Sequence, residues 1–197
     1  MKTNMLIIFA FLMVSYACNS TAQQNHEYVD LGLPSGTLWA TCNIGASNSW
    51  ENGDYFAWGE TNPKNEYSEY TYTYRDNPET LPPSQDAATA NWGSDWCMPT
   101  QQQCQELSDN CTWTWTTLNG KNGYEVKSEN GNSIFLPASG WMWPSLEREG
   151  QFGFYRSSSL GEGESVRSLC LGLASGQHRM GYNYRAFGFP VRAVRCK

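Results

Sequence analysis

Between residues 112 and 136 the chain alternates twice and reverses twice. Residues 112–117 (TWTWTT) alternate with period two, residues 124–127 (YEVK) alternate again, and residues 133–136 (SIFL) follow. Asn119-Gly120, Asn122-Gly123 and residues 130–132 (NGN) supply the turn chemistry between them. Period two sends successive side chains to opposite faces, a pattern that a helix of period 3.6 cannot bury on one side. The stretch reads as a three-strand antiparallel meander, and whatever the rest of the chain does must pack on that sheet.

The remaining segments agree. Strands are expected at residues 27–31 and 37–42, joined through Leu33-Pro34-Ser35-Gly36, where Pro and Gly stand as a tight turn requires. A short apolar strand is expected at residues 54–58, and further strands at residues 154–158, 166–173 and 188–196. Residues 43–52 read as a loop, residues 140–153 as a loop carrying Trp141 and Trp143, and residues 175–181 as a polar loop carrying His178. Residues 60–86 are polar, Tyr-rich and interrupted by Pro. So long an irregular excursion in a compact domain is more often functional than idle. One helix begins near Pro99-Thr100: Thr100 suits the N-cap, and Gln103 three residues on completes a capping box. Cys104, Leu107 and Cys111 then share one helical face, which is expected to be core. With no repeat, linker or second core, the chain reads as one α+β domain, mainly antiparallel β with one helix.

The first residues form an address. Lys2 precedes an apolar run at residues 5–14, too short to span a membrane, which takes about 20 residues, and fitted to a secretion signal. Ala17 stands immediately before Cys18, as in a bacterial lipoprotein signal whose cleavage exposes a lipidated cysteine. Residues 1–17 are therefore expected to be signal peptide, 18–26 a polar tether and 27–197 the domain. On this reading membrane contact is only through the lipid on Cys18, on the outer membrane, with the periplasmic and surface faces both open; the alternative is an ordinary signal peptide cut nearby and a secreted chain. Export suits the remaining cysteines, Cys42, Cys97, Cys104, Cys111, Cys170 and Cys196, which allow up to three disulfides in fifteen pairings.

Composition excludes several classes. Charged residues are only 16% of the chain, against about 25% in an average soluble domain, so a disordered charged tail is excluded. The net charge is −6 with no basic stripe, which removes nucleic acid as a partner. Nine Trp argue for an aromatic core, exposed aromatic contacts, or both. No catalytic set is expected. The only histidines are His26 and His178, no G-x-S-x-G string is present, and the Cys spacing does not suit zinc. Asp54, Glu60, Glu66, Glu69 and Asp76 have the oxygens that calcium takes, but a solvated acidic loop is the preferred reading. No metal and no cofactor is expected.

Several strings taken together resemble a known family. They are residues 28–43 (YVDLGLPSGTLWATCN), 53–60 (GDYFAWGE), 88–93 (ATANWG), 98–100 (MPT), 110–115 (NCTWTW), 132–137 (NSIFLP), 157–159 (SSS) and 188–192 (GFPVR). In this order the chain is similar to the Fibrobacter major paralogous domain family, common in gut Bacteroidetes, over nearly all of the expected mature chain. The resemblance implies a C-type-lectin-like fold with N- and C-terminal strands side by side. It implies no assigned activity. Three positions depart from the family: Cys97 replaces an Arg, Cys104 an aromatic and Arg156 a Trp. Cys97 and Cys104, seven residues apart, are candidates for a disulfide peculiar to this chain.

Folds of this kind vary their loops over a rigid sheet. The residues expected to present a binding surface are Trp141, Trp143, Arg156, His178, Arg179, Tyr182, Asn183 and Tyr184, since aromatic and Arg side chains anchor interfaces and flat aromatic faces stack on sugars. The expected function is a non-enzymatic envelope lipoprotein with an adhesion or binding surface for a protein or glycan. The alternatives are a structural surface lipoprotein without a discrete ligand, and an enzyme related to formylglycine-generating folds.

Overall fold

The computed structural model describes residues 26–196. The expected signal peptide, Cys18 and all of the tether but His26 lie outside the described residues. Strand β1 (Tyr28–Asp30) and strand β2 (Leu38–Ala40) form the expected hairpin, and the Gly36 N–H donates to the Leu33 carbonyl at 2.7 Å to close its turn. Strand β3 (Tyr55–Phe56) leads into the excursion, which ends in a 3-10 turn at Pro83–Gln85. A short helix, α1 (Ala87–Trp92), follows. The sequence reading did not separate it: six residues hold less than two turns, too few for an apolar period. Its start is set by Asp86, whose buried Oδ1 accepts from the N–H groups of Ala88 at 2.8 Å and Thr89 at 3.0 Å.

Next come strand β4 (Trp96–Cys97) and helix α2 (Gln101–Asn110), in which both halves of the Thr100–Gln103 capping box form. Cys104 and Leu107 are buried as expected, but Cys111 leaves the helix and begins strand β5 (Cys111–Leu118). With strand β6 (Lys121–Ser128) and strand β7 (Ser133–Pro137) it makes the meander, in unbroken antiparallel register. Strands β8 (Trp141–Met142) and β9 (Leu146–Glu147) pair within the expected loop. Strand β10 (Phe152–Arg156), strand β11 (Arg167–Ala174) and strand β12 (Gln177–Tyr184) form a second three-stranded sheet. His178 thus lies in β12 and not in a polar loop. The expected strand at 188–196 is divided into β13 (Phe189–Pro190), paired with β3, and β14 (Val194–Arg195).

The architecture is α+β, mostly antiparallel β. The order β1-β2-β14-β4 brings the first and last strands into one sheet, with Val194 opposite both Trp39 and Cys97. Beside that pairing Cys97 and Cys196 form a disulfide, Cα atoms 5.4 Å apart. The cysteine expectations are corrected accordingly. Cys97 does not pair with Cys104, and Cys42, Cys104, Cys111 and Cys170 are free thiols. Cys104 is buried on α2 in the core cluster that also holds Val194, and it remains a free thiol. Burial pushes the Cys170 thiol up to about 12, so it stays protonated and unreactive at neutral pH. One core cluster joins Trp39, Leu107, Tyr124, Val126, Tyr155 and Leu171 beneath the meander. A second joins Phe56, Trp58, Trp92, Trp96 and Met98. No helix among the described residues is long and apolar enough to cross a membrane.

Candidate functional site

Three arginines are buried: Arg156, Arg185 and Arg192 are each 2% exposed or less. Buried guanidinium is tolerable only when its donors are satisfied, and here carbonyls, hydroxyls and amides satisfy them. Arg156 donates through Nε to the Phe56 carbonyl at 3.4 Å and through Nη1 to Ser168 Oγ at 2.8 Å. Its Nη2 reaches the carbonyls of Tyr184, Arg185 and Phe187, gathering the whole turn after β12. Burial pulls its guanidinium down to about 10. Arg185 points from that turn into the excursion. It donates to Tyr72 Oη at 2.9 Å, Asn77 Oδ1 at 2.6 Å and the Asp76 carbonyl at 2.6 Å, and also to the Ser165 carbonyl at 2.9 Å. Its guanidinium lies 4.5 Å from the Trp58 ring centre. Arg185 therefore ties residues 72–77, the loop before β11 and the turn after β12 into one body.

Above that body is a cleft of about 480 Å³. One wall is Tyr70, Tyr72 and Arg75 of the excursion; the other is Trp143, Val166 and Tyr184. Tyr70 is 99% exposed and Tyr184 47%. Tyr72 is buried, donates to the Trp58 carbonyl at 2.8 Å, and has its phenol pushed up to about 12 by burial. Arg75 lies 5.1 Å from the Tyr72 ring centre and donates to the Tyr72 carbonyl. Trp143 and Tyr184 meet through Phe187, at 4.4 and 5.3 Å between ring centres. The larger cleft of about 670 Å³ beside Lys127 and Glu129 has no aromatic in its wall.

An aromatic seam continues from the cleft. Phe187 meets Phe189, Phe189 stacks on Phe154 at 5.1 Å, and Phe154 meets Trp141 at 5.6 Å. Trp141 thus belongs to the same aromatic run as Trp143, farther along the β10–β11–β12 sheet. Register puts Arg179 opposite Gly172, against which the Phe154 ring lies, so Arg179 and Asn183 share the Phe154 face of the sheet, with Tyr184 on the other.

The structure brings together Trp143 and Tyr184, with Trp141 joined to them along the aromatic run, and separates the other candidates; Arg179 and Asn183 alternate with Tyr184 along β12, face away from it and do not line the cleft. Arg156 is corrected outright: it is 0% exposed and holds backbone, so it presents nothing to a ligand. His178, six residues before Tyr184 on β12, is half-buried and stacked on Trp113 at 4.2 Å and 10°, outside the cleft. Tyr182 is exposed on His178's side of the strand, packed over Gly161 with Arg167 5.6 Å from its ring centre. Sequence reasoning missed Tyr70, Tyr72, Arg75, Val166 and Phe187, although the Tyr-rich composition of residues 60–86 was the available signal. Of the acidic residues there, Glu60 is engaged by Lys64 at 2.6 Å and by Thr73. Among the described residues no three His, Cys, Asp or Glu side chains converge. No protein-family model matches this chain, and neither a curated protein nor a solved structure matches it.

Proposed function

We propose that this chain is a non-enzymatic binding module, exported and lipid-anchored at Cys18, that takes a protein or glycan ligand in the aromatic cleft. The signal-like leader supports the export and the anchor, and the family resemblance supports a C-type-lectin-like scaffold for the cleft. The observation that carries the reading is the meeting of three separate loops at one place. Trp143, Tyr184 and Val166 face Tyr70 and Arg75 across about 480 Å³, over walls fixed by Arg185. Exposed aromatic rings beside a guanidinium are the side chains that contribute most at interfaces, and Arg185 fixes Tyr72 and the backbone at Asp76 and Ser165 on the two walls before any ligand arrives, which lowers the ordering cost of binding.

The test is a glycan array, run with calcium and again with EDTA, together with pull-downs from the native envelope. Trp143→Ala and Tyr70→Ala are each expected to weaken binding at least about tenfold while the thermal midpoint of Tyr70→Ala stays at the wild-type value. Binding unchanged in both variants overturns the cleft reading.

A further inference from the structure

Strand β5 is an edge. It pairs with β6 and with no other strand, and among the described residues no backbone hydrogen bond reaches it from its open side. Every other residue of such a strand aims its N–H and C=O outward, ready to pair with a further strand. Proteins usually blunt such edges with charge, proline or a bulge. From Cys111 to Leu118 there is no charged residue and no proline, and the eight-pair register with β6 has no bulge. The other eight-residue edge, β12, carries Arg179 and His178.

The edge also reads the same in both directions: residues 112–116 are T-W-T-W-T. An antiparallel copy centred on Thr114 sets each Thr opposite a Thr and Trp113 opposite Trp115. Thr–Thr and aromatic pairs are the favourable cross-strand neighbours, and like charges the unfavourable ones. Two chains of net charge −6 can meet along this uncharged edge without opposing like charges. The Thr side chains are exposed, and the two Trp half-buried.

We propose that β5 pairs with β5 of a second copy about a twofold axis through Thr114, joining two meanders into a six-stranded sheet in the order β7-β6-β5-β5-β6-β7. Such an interface is isologous and closes at two chains. It leaves the aromatic cleft untouched, so the pair presents two clefts at once, and it stands whether or not the cleft reading does. Centring on Thr114 places Cys111 of each chain opposite Thr117 of the other.

Sedimentation equilibrium of the purified full chain is expected to show a monomer–dimer equilibrium. Thr114→Lys sets two ammonium groups against each other across the axis and is expected to weaken association about 100-fold without altering the circular dichroism spectrum. Thr117→Cys, under mild oxidation, is expected to yield a covalent dimer whose linking peptide joins positions 111 and 117; this arm decides the matter if Thr114→Lys does not fold. A wild-type chain monomeric at all concentrations, a dimer indifferent to Thr114→Lys, or oxidation without a 111–117 link overturns the proposal.

Discussion

The meander and the excursion are held by opposite means. In the meander, β5, β6 and β7 pair with their neighbours in sequence, and every ladder bond closes a short loop. In the excursion, order comes from far away: Arg185 reaches Asn77, Asp76 and Tyr72 across sequence separations of 108, 109 and 113 residues. The meander repeats one backbone pattern, so any one side chain matters moderately. The excursion has almost no backbone pattern, so it depends on side chains: Tyr67 and Tyr72 donate to the Tyr55 and Trp58 carbonyls, and Arg185 supplies its longest-range fastening. A rigid local sheet carries the chain's self-complementary edge, and a remotely fastened loop carries the exposed Tyr70.

The largest expected effect tests that dependence. Arg185→Met leaves the Asn77 amide oxygen and two carbonyls without their buried donor, and is expected to cost about 4 kcal/mol of unfolding free energy in urea titration. Hydrogen exchange localises the change: amides of residues 67–77 should lose protection under conditions that leave residues 111–137 protected. Equal loss in both regions would end the distinction between them. The converse variant is Gly123→Ala in the middle of β6. A Cβ there would lie 2.4 Å from the Leu136 carbonyl oxygen and 2.8 Å from the Pro137 Cα, backbone that cannot move aside alone. Overpacking of this kind costs about 2 kcal/mol, and here the meander amides are expected to open first while the excursion keeps its protection.

The same contrast explains what the sequence disclosed. Residues 112–117 and the Asn-Gly pairs declare strands and turns within a few residues of themselves, and the Thr100–Gln103 capping box declares the start of α2, so those elements were legible. Strand β12 was not, because residues 177–184 (QHRMGYNY) contain no β-branched residue and take their strand form from pairing with β11. Arg156 was misread for a related reason. A charge in a polar stretch looks like surface, and only the assembled turn after β12 supplies the carbonyls that make its burial tolerable. The Cys97–Cys196 bridge spans 99 residues, and nothing within reach of either cysteine in sequence names its partner. In the cleft, Trp143 and Tyr184 were legible as residue types; their neighbours Tyr70 and Arg75 were not, since long-range side-chain bonds, those of Arg185 foremost, bring the excursion to them.

The smallest effect concerns a device that occurs once against the meander and once beyond the excursion. His178 of β12 stacks on Trp113 of the meander at 4.2 Å, and His26 stacks on Trp92 of α1 at 3.8 Å. Burial lowers the pKa of both below the ordinary 6.5; for His178 the Ser108 backbone and the Asp109 carboxylate oppose this only in part. A lowered folded-state value means that the unfolded chain binds the proton more readily. Stability conferred by the neutral rings is therefore complete above about pH 6.5 and declines as pH falls through the lowered folded-state values. Carboxylates held low, such as Glu51 and Glu149, lose their contribution only in the more acidic range around and below 4.5, so the two windows separate. Both imidazoles keep contact with solvent, which holds each contribution below about 1 kcal/mol. Thermal melts between pH 7 and pH 5 are expected to show a fall in midpoint for the wild type, a smaller fall for His178→Gln or His26→Gln, and none for the double variant. If His178→Gln alone removes the whole fall, only the meander titrates, and the two regions differ in electrostatics as well as in how they are fastened.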